Sequence, residues 1–455
     1  MKYYDKSEGD INISNKRIKW QQEHLDDATR ALLGRDQRYF LEQSLSTPCL
    51  NALKSCEGIY IEDIQGRRYM DFHGNNVHQV GFGNAEIIAA IKKQLDTLSF
   101  CIRRYTNAVA IDLAEKLARL APGDMNKVLF CPGGAEAIGI ALKLARAVTG
   151  RHKTISMWDS FHGATLDAIS IGGEAVFRRD VGPLLPGTEH VPAPDPSRAF
   201  YDLGDPEKWE MFCAHYVEYI LKQEGDIAAV IAEPIRSTPY VPSAKYWRTI
   251  RRACDRYGAL LIFDEIPHAL GRTGKMFTCE NFDVVPDILC IGKGLGGGIM
   301  PLAAVIARDK LDVAGDRALG HYTHEKSPVA CAAALATIKY IESHDLLAHA
   351  RKLGDYTLNR LLKLQPRHPL MGNVRGIGLF LGIELIKDGQ PAVEEAEAVM
   401  YKALSKGLSF KLTMGNILTL TPALVITRDE MDRAIDILDM SISEVEGEFV
   451  NAPIR

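Results

Sequence analysis

No stretch of this chain approaches 18 consecutive apolar residues, so nothing in it reads as a membrane-spanning helix. No two of its nine cysteines stand at C-x-x-C spacing, and several lie inside apolar runs such as VLFC and DILC. They read as small buried hydrophobes in a reducing compartment, not as a disulfide framework or a zinc site. Neither sign of charge dominates: 54 Lys and Arg against 58 Asp and Glu leave a formal net charge of −4. That balance offers no field for gripping nucleic acid or an anionic membrane. Repeats and low-complexity linkers are absent, and the segment MKYYDKSEGDINISNKR has no apolar core of the kind a signal peptide needs. The expected location is therefore cytoplasmic. What is present is 455 residues, 46% hydrophobic and 25% charged, enough for a large core and two or three domains.

Residues 1–15 are polar and read as an arm, and a helical pattern runs from about Lys16 to Leu33. IYIEDIQGRRYMDF, from Ile59, alternates around a Gly turn as a β-hairpin does. Helices are expected near Ala85–Leu95 and Ala108–Leu120. Short apolar runs then alternate with helical periods: KVLFC, ALKLARAV, TISMW, AAVIAEP, the amphipathic stretch Tyr246–Arg256, ALLIFDEI, DILCIGKG and LAAVIA. Near-continuous apolar strands separated by helices imply an α/β fold with a mostly parallel sheet covered on both faces. Ligands of such sheets bind beyond the strand carboxyl ends. An Ala-rich helix follows from about Ser327, and the tail returns to strands (GLFLGIELI, LSFKLT, ILTLTP) and a helix after Thr427. The expected organisation is an arm and part of a small domain over 1–79, a large domain over 80–326, and a linking helix with the rest of the small α+β domain over 327–455.

Several strand ends carry residues able to do chemistry. ALLIFDEI closes on Asp264 and Glu265, carboxylates that need a cationic or donor partner when desolvated. DILCIGKG closes on Lys293, and a partly buried lysine can present a neutral, nucleophilic amine. Gly133, Gly134 and Ala135 stand between a strand and a helix, where small residues let backbone N–H groups reach an anion. Phe161 and His162 follow TISMW; an aromatic there can stack on a flat cofactor. Taken singly, each has a plain structural explanation: an ion pair, a surface lysine, a simple turn, a core aromatic. GKGLGGG is not a Walker A motif, because its Lys precedes the glycines, and no G-x-G-x-x-G follows a strand. A nucleotide-binding enzyme is thus a poor reading.

Their order is what distinguishes them. Gly-Gly-Ala before a helix, Phe-His-Gly, Ala-Glu-Pro at Ala232–Pro234, Asp264-Glu265, GRTG at Gly271–Gly274 and Gly-Lys-Gly at 292–294 together resemble the class III aminotransferases, fold-type-I enzymes dependent on pyridoxal 5′-phosphate (PLP). The likeness runs from about Cys56 to Ile426. It implies that Lys293 holds PLP covalently and shuttles protons, and that Asp264 faces the pyridine nitrogen, strengthening the ring as an electron sink. It further implies that Gly134 and Ala135 form the phosphate-binding turn, that Phe161 and Ile266 cover the two ring faces, and that His162 and Glu233 complete the cofactor site. Thr323, in GHYTHEKSP, matches a residue that reaches the phosphate of a partner subunit, so the resemblance implies a homodimer with shared sites. It implies no metal.

Two departures stand out. Pro267 replaces a Gln that commonly contacts the PLP ring oxygen, and proline has no donor; His268 follows it as a replacement or as a loop-packing residue. In NILTLTPALVIT, Thr419 stands where many relatives carry an Arg that binds the substrate carboxylate. A Glu like Glu233 pairs with that Arg in those relatives, so here it has lost that partner unless another cation takes over. Losing the Arg costs keto-acid and amino-acid substrates about 2–4 kcal/mol where their carboxylates end up desolvated and unpaired. A lyase needs no keto acid. SFCIRRYTN, FCPGGAEAIGIALKLARAVTG, SMWDSFHGATLDAISIGGEAVFRR and GPLLPGTEHVPAP resemble the branch of ammonia-lyases acting on (R)-1-hydroxy-2-aminoethylphosphonate, relatives of the phosphoethanolamine phospho-lyases. The expected substrate is a small amino-phosphonate, with Arg103, Arg104 and Asn75 as first candidates to bind it. Arg236, Lys326 and Lys411 are weaker cation candidates, and His73 and Asn76 border the same segment as Asn75. The alternatives are an ω-aminotransferase and a PLP-fold binding protein without activity; retention of Lys293 and Asp264 argues against the last.

Overall fold

Seven strands make the sheet on which the larger of two units is built. Their order is Met125–Cys131, Ala303–Arg308, Ile288–Ile291, Leu260–Asp264, Ile227–Ala232, Lys153–Met157 and Thr188–Val191. Only Ala303–Arg308 runs antiparallel to its neighbours; the other pairings are parallel. This computed structural model describes residues 13–43 and 47–450. The expected polar arm lies outside them as far as residue 12.

Alternate side chains of the central strands face opposite layers. Ile231 and Ile262 pack with Ile138, Ala141 and Ala145 of the helix Gly134–Thr149. Phe263, the next residue, meets the edge of Trp247 from the helix Ala244–Tyr257, ring centroids 4.8 Å apart. Such an edge-on pair adds about 0.5–1.5 kcal/mol to the area it buries. Burial on both sides explains why these strands read as unbroken apolar runs. The edge strand Thr188–Val191 escapes that pattern because TEHV is short and polar.

The larger unit comprises Ala85–Arg236 and Tyr240–Leu347; the smaller takes the described residues up to Asn84, Ser237–Pro239 and those from Ala348. The Ala-rich helix Pro328–Ser343 lies in the larger unit, packed on the helices Ala85–Thr97 and Ala108–Leu120. In the smaller unit, strands Leu53–Glu57, Tyr60–Asp63 and Arg68–Asp71 form a meander extended by Leu408–Ser409. A second, antiparallel sheet has the order Met371–Ile377, Phe380–Lys387, Ile417–Leu420, Lys411–Thr413. The single helix expected over Lys16–Leu33 is two helices, Asn15–His24 and Asp27–Tyr39. Asp26 is the reason: extended at φ −81°, its side chain accepts from the Thr29 N–H and caps the second helix. Among the described residues no helix is long and apolar enough to cross a membrane.

The sheet of the larger unit is tied by one buried carboxylate. Asp287, 4% exposed, accepts from the Leu261 N–H at 2.8 Å and from Arg251 at 2.6 Å, with Arg308 at 3.3 Å. Asp287→Ala leaves a strand N–H unpaired and two guanidinium groups without their shared anion. It is expected to lower unfolding free energy by about 3–5 kcal/mol in urea titration. A loss under 1 kcal/mol would contradict this account.

Candidate active site

The carboxyl ends of the parallel strands bring the sequence candidates to one edge of the larger unit's sheet. Asp264 ends its strand, 2% exposed, opposite Cys290 of the next strand. Its Oδ2 lies 2.8 Å from Nδ1 of His162, and its Oδ1 accepts from the Ile266 N–H at 3.1 Å. His162 is itself buried, with Nε2 3.5 Å from the Ser156 hydroxyl. Two donors fix the carboxylate's plane and leave lone pairs for a third. The adjacent Glu265 points elsewhere: its two oxygens accept from the N–H groups of Thr278 and Cys279.

Lys293 follows the strand Ile288–Ile291 by two residues and begins a short 3₁₀ turn, half-buried. Its φ is 46°, a left-handed conformation that costs a lysine about 1–3 kcal/mol and survives only where surrounding structure enforces it. Gly292 before it approaches Ile266: a Cβ there would sit 3.4 Å from Ile266 Cγ2.

Ile266 also closes on Gly134, where a Cβ would meet its Cδ1 at 2.9 Å. Gly134 opens the 16-residue helix Gly134–Thr149, and no side chain caps that end. An uncapped first turn presents backbone N–H groups to an anion with the helix dipole behind them. Gly163, at φ 124°, packs against Ala135; a Cβ there would lie 2.7 Å from the alanine's own. Phe161 is half-buried against Phe177, centroids 4.6 Å apart.

Glu233, just past the strand Ile227–Ala232, accepts from the Phe161 N–H at 3.3 Å. Another cation has indeed taken it over: Arg236 lies 3.3 Å from Glu233 and 2.6 Å from the buried Glu174. Sequence reading missed Glu174, 62 residues away; the Glu-Pro-Ile-Arg spacing of 233–236 was the available signal. The remaining candidates have surroundings of their own. Arg103 and Arg104 are exposed, Arg103 against the His321 ring. Thr323 is exposed in a turn before the Ala-rich helix, and Asn75 is exposed in the smaller unit. His268 is fully buried. Thr419 is buried in the smaller unit, its hydroxyl 2.6 Å from that of Thr413 and bonded to the Ser237 carbonyl.

The profile of the family described as aminotransferase class-III matches residues 43–442. The chain belongs to the class III aminotransferases. Within that family it is 48% identical to the (R)-1-hydroxy-2-aminoethylphosphonate ammonia-lyase of Vibrio splendidus, over 98% of this chain and 96% of that one. It is 36% identical to a leucine/methionine racemase of Thermococcus litoralis, over 91% and 96% of the two chains. An amine transaminase from an uncultivated Pseudomonas species, solved in its PLP-bound form, superposes with a TM-score of 0.84 at 32% identity, covering 90% of this chain and 99% of that one. The architecture of this class III chain is therefore PLP fold type I.

The residues present fit that cofactor on structural grounds. The Gly134 cradle has no room for a side chain and an uncapped helix start for a phosphate. Asp264 is a buried acceptor held for a protonated ring nitrogen. Ile266 and Phe161 supply apolar surfaces.

Gly134→Val would drive two methyl groups toward Ile266. Overpacking of this kind costs about 1–3 kcal/mol, so retention of PLP is expected to weaken roughly 10–100-fold, read by dialysis and absorbance; unchanged retention would count against the cradle. Glu265 carries a pH signature. Burial pushes its carboxyl up from 4.5 to about 7. Between those values the folded chain keeps a proton that the unfolded chain releases. Its contribution to stability is thus full below pH 4.5 and lost as pH rises through 7. Urea unfolding of the wild type relative to Glu265→Gln should show the wild type losing about 3 kcal/mol across that window. A difference independent of pH would refute it.

Proposed function

We propose that this chain is a PLP-dependent ammonia-lyase that converts (R)-1-hydroxy-2-aminoethylphosphonate to phosphonoacetaldehyde and ammonia. The observation that carries the reading is 48% identity to the Vibrio splendidus lyase across nearly the whole of both chains. Two features of the site support it. Thr419 spends its hydroxyl on Thr413 and Ser237, so no guanidinium stands there for a keto acid. Glu233 is held by Arg236 instead.

When bound, PLP supplies an electron sink for the charge left on the amine-bearing carbon. Lys293 would hold it covalently. Asp264, oriented by His162, would keep the ring nitrogen protonated, Gly134 and Ala135 would receive the phosphate, and Phe161 and Ile266 would enclose the ring. The Lys293 ε-amine, when free, would take the proton from the amine-bearing carbon and return it to the departing hydroxyl on the neighbouring carbon. Water lost in that elimination is regained when the unsaturated amine hydrolyses, so aldehyde and ammonia balance the substrate with no keto acid consumed. Arg103, Arg104 and Asn75 are proposed to contact the substrate.

We further propose a cytoplasmic homodimer in which Thr323 reaches the partner's cofactor phosphate. The exposure of Thr323 and of Phe100, Ile102 and Tyr105 supports this. The second reading, an ω-aminotransferase, is favoured by the likeness to solved amine transaminases at 26–32% identity.

The test is to incubate the amino-phosphonate with holoenzyme and no keto acid. Sustained ammonia release is expected, and Lys293→Ala should lower it at least ~10³-fold. A single turnover that stops would establish the transaminase. Borohydride reduction followed by peptide mapping should place the label on Lys293; a label on another lysine would overturn the assignment.

A further inference from the structure

Arg236 holds two acids that come from different loops of the larger unit. One guanidinium nitrogen lies 2.6 Å from Glu174 and another 3.3 Å from Glu233. Both carboxylates are nearly dry, their side chains 1% and 2% exposed. The planar fork of a guanidinium serves two acceptors at once. With that cation removed, the two anions would repel each other with almost no water to screen them.

The two acids lead to one side chain by different routes. The Glu233 oxygen that Arg236 holds also accepts from the Phe161 N–H at 3.3 Å. Glu174 stands at the head of the short helix Ala175–Arg178, and its carbonyl accepts from the Phe177 N–H at 3.3 Å. Phe177 in turn packs against the Phe161 ring. The backbone of Phe161 is thus held through Glu233, and its ring through the helix that Glu174 begins. Ser160, the residue before it, accepts from the Gly173 N–H at 2.9 Å, which joins the same two loops. His162, the residue after it, is bonded to Asp264.

We infer that Arg236 is a positioning residue: through Glu233 and Glu174 it holds Phe161 against the face of the PLP ring. This rests on the placement of Phe161 over that ring proposed above, and not on the identity of the substrate. An aromatic side chain attracts a flat ring only at close range and in a suitable tilt. A slackened loop therefore loosens the cofactor although Arg236 itself acts only through its two acids.

The test compares PLP-loaded wild type, Arg236→Met, Phe161→Leu and the double variant. Two readouts are taken: the rate at which PLP leaves during dialysis, and the visible circular dichroism of the bound cofactor, which reports how its ring is held. Each single variant is expected to lose PLP roughly 3–10-fold faster, the range a lost aromatic contact gives, and to show weaker dichroism. The double variant should match Phe161→Leu within about twofold, because both changes act through one side chain. Losses that multiply would place the role of Arg236 elsewhere, and unchanged retention in Arg236→Met would overturn the assignment outright. Should Arg236→Met not fold, Arg236→Gln takes its place in the same cycle with the same expectations. Phe161→Leu without effect removes the stacking role and this inference together. Ammonia release from the amino-phosphonate by wild type is a separate measurement, so failure of the lyase reading leaves the role of Arg236 standing.

Discussion

The bond between Asp264 and His162 fixes the rest of the site. A carboxylate closing a buried parallel strand is costly without donors, and here the ring nitrogen and one backbone N–H hold it in a single orientation. His162 comes from the loop after one strand, Asp264 from the end of another, and Lys293 from the turn after a third. Strand register, which sets Asp264 opposite Cys290, relates Asp264 to the turn bearing Lys293, and the bond from His162 ties its loop to that edge. A rigid sheet edge is what chemistry at a fixed ring nitrogen requires.

Charge is arranged around that centre with equal economy. Glu174 and Glu233 share Arg236, so this partly buried guanidinium is satisfied within the larger unit. In the smaller unit Arg375 and Glu384 neutralise one another. An enzyme built to alternate between an amine and a keto acid needs a cation that serves both. Thr419 supplies no such cation.

Much of this was legible because buried parallel strands write themselves as apolar runs: the strands ending in Cys131, Met157, Ala232, Asp264 and Ile291 were all visible, and with them the loops bearing Gly134, Phe161, Glu233 and Lys293. Pairings between distant residues were not. His162 and Asp264 are 102 positions apart and Arg236 and Glu174 are 62 apart, and nothing in one dimension links them. Local signals also misled where polar chemistry outweighed periodicity. The N-terminal helical pattern ran on through Leu25, yet Asp26 restarts the helix as a cap. Ser237–Pro239 carries no sequence mark of belonging to the smaller unit; its membership comes from bonds such as that of Arg375 to the Thr238 carbonyl.

The strand Arg68–Asp71 takes Leu408–Ser409 as its parallel neighbour, with Met70 opposite Leu408. During translation, then, the amino-terminal meander emerges long before the segment that completes it, while the larger unit's chain is finished at Leu347. The nascent protein must carry an unfinished β edge until that segment emerges, an open template for self-association. The smaller unit's meander gains its fourth strand only once Leu408–Ser409 has been made.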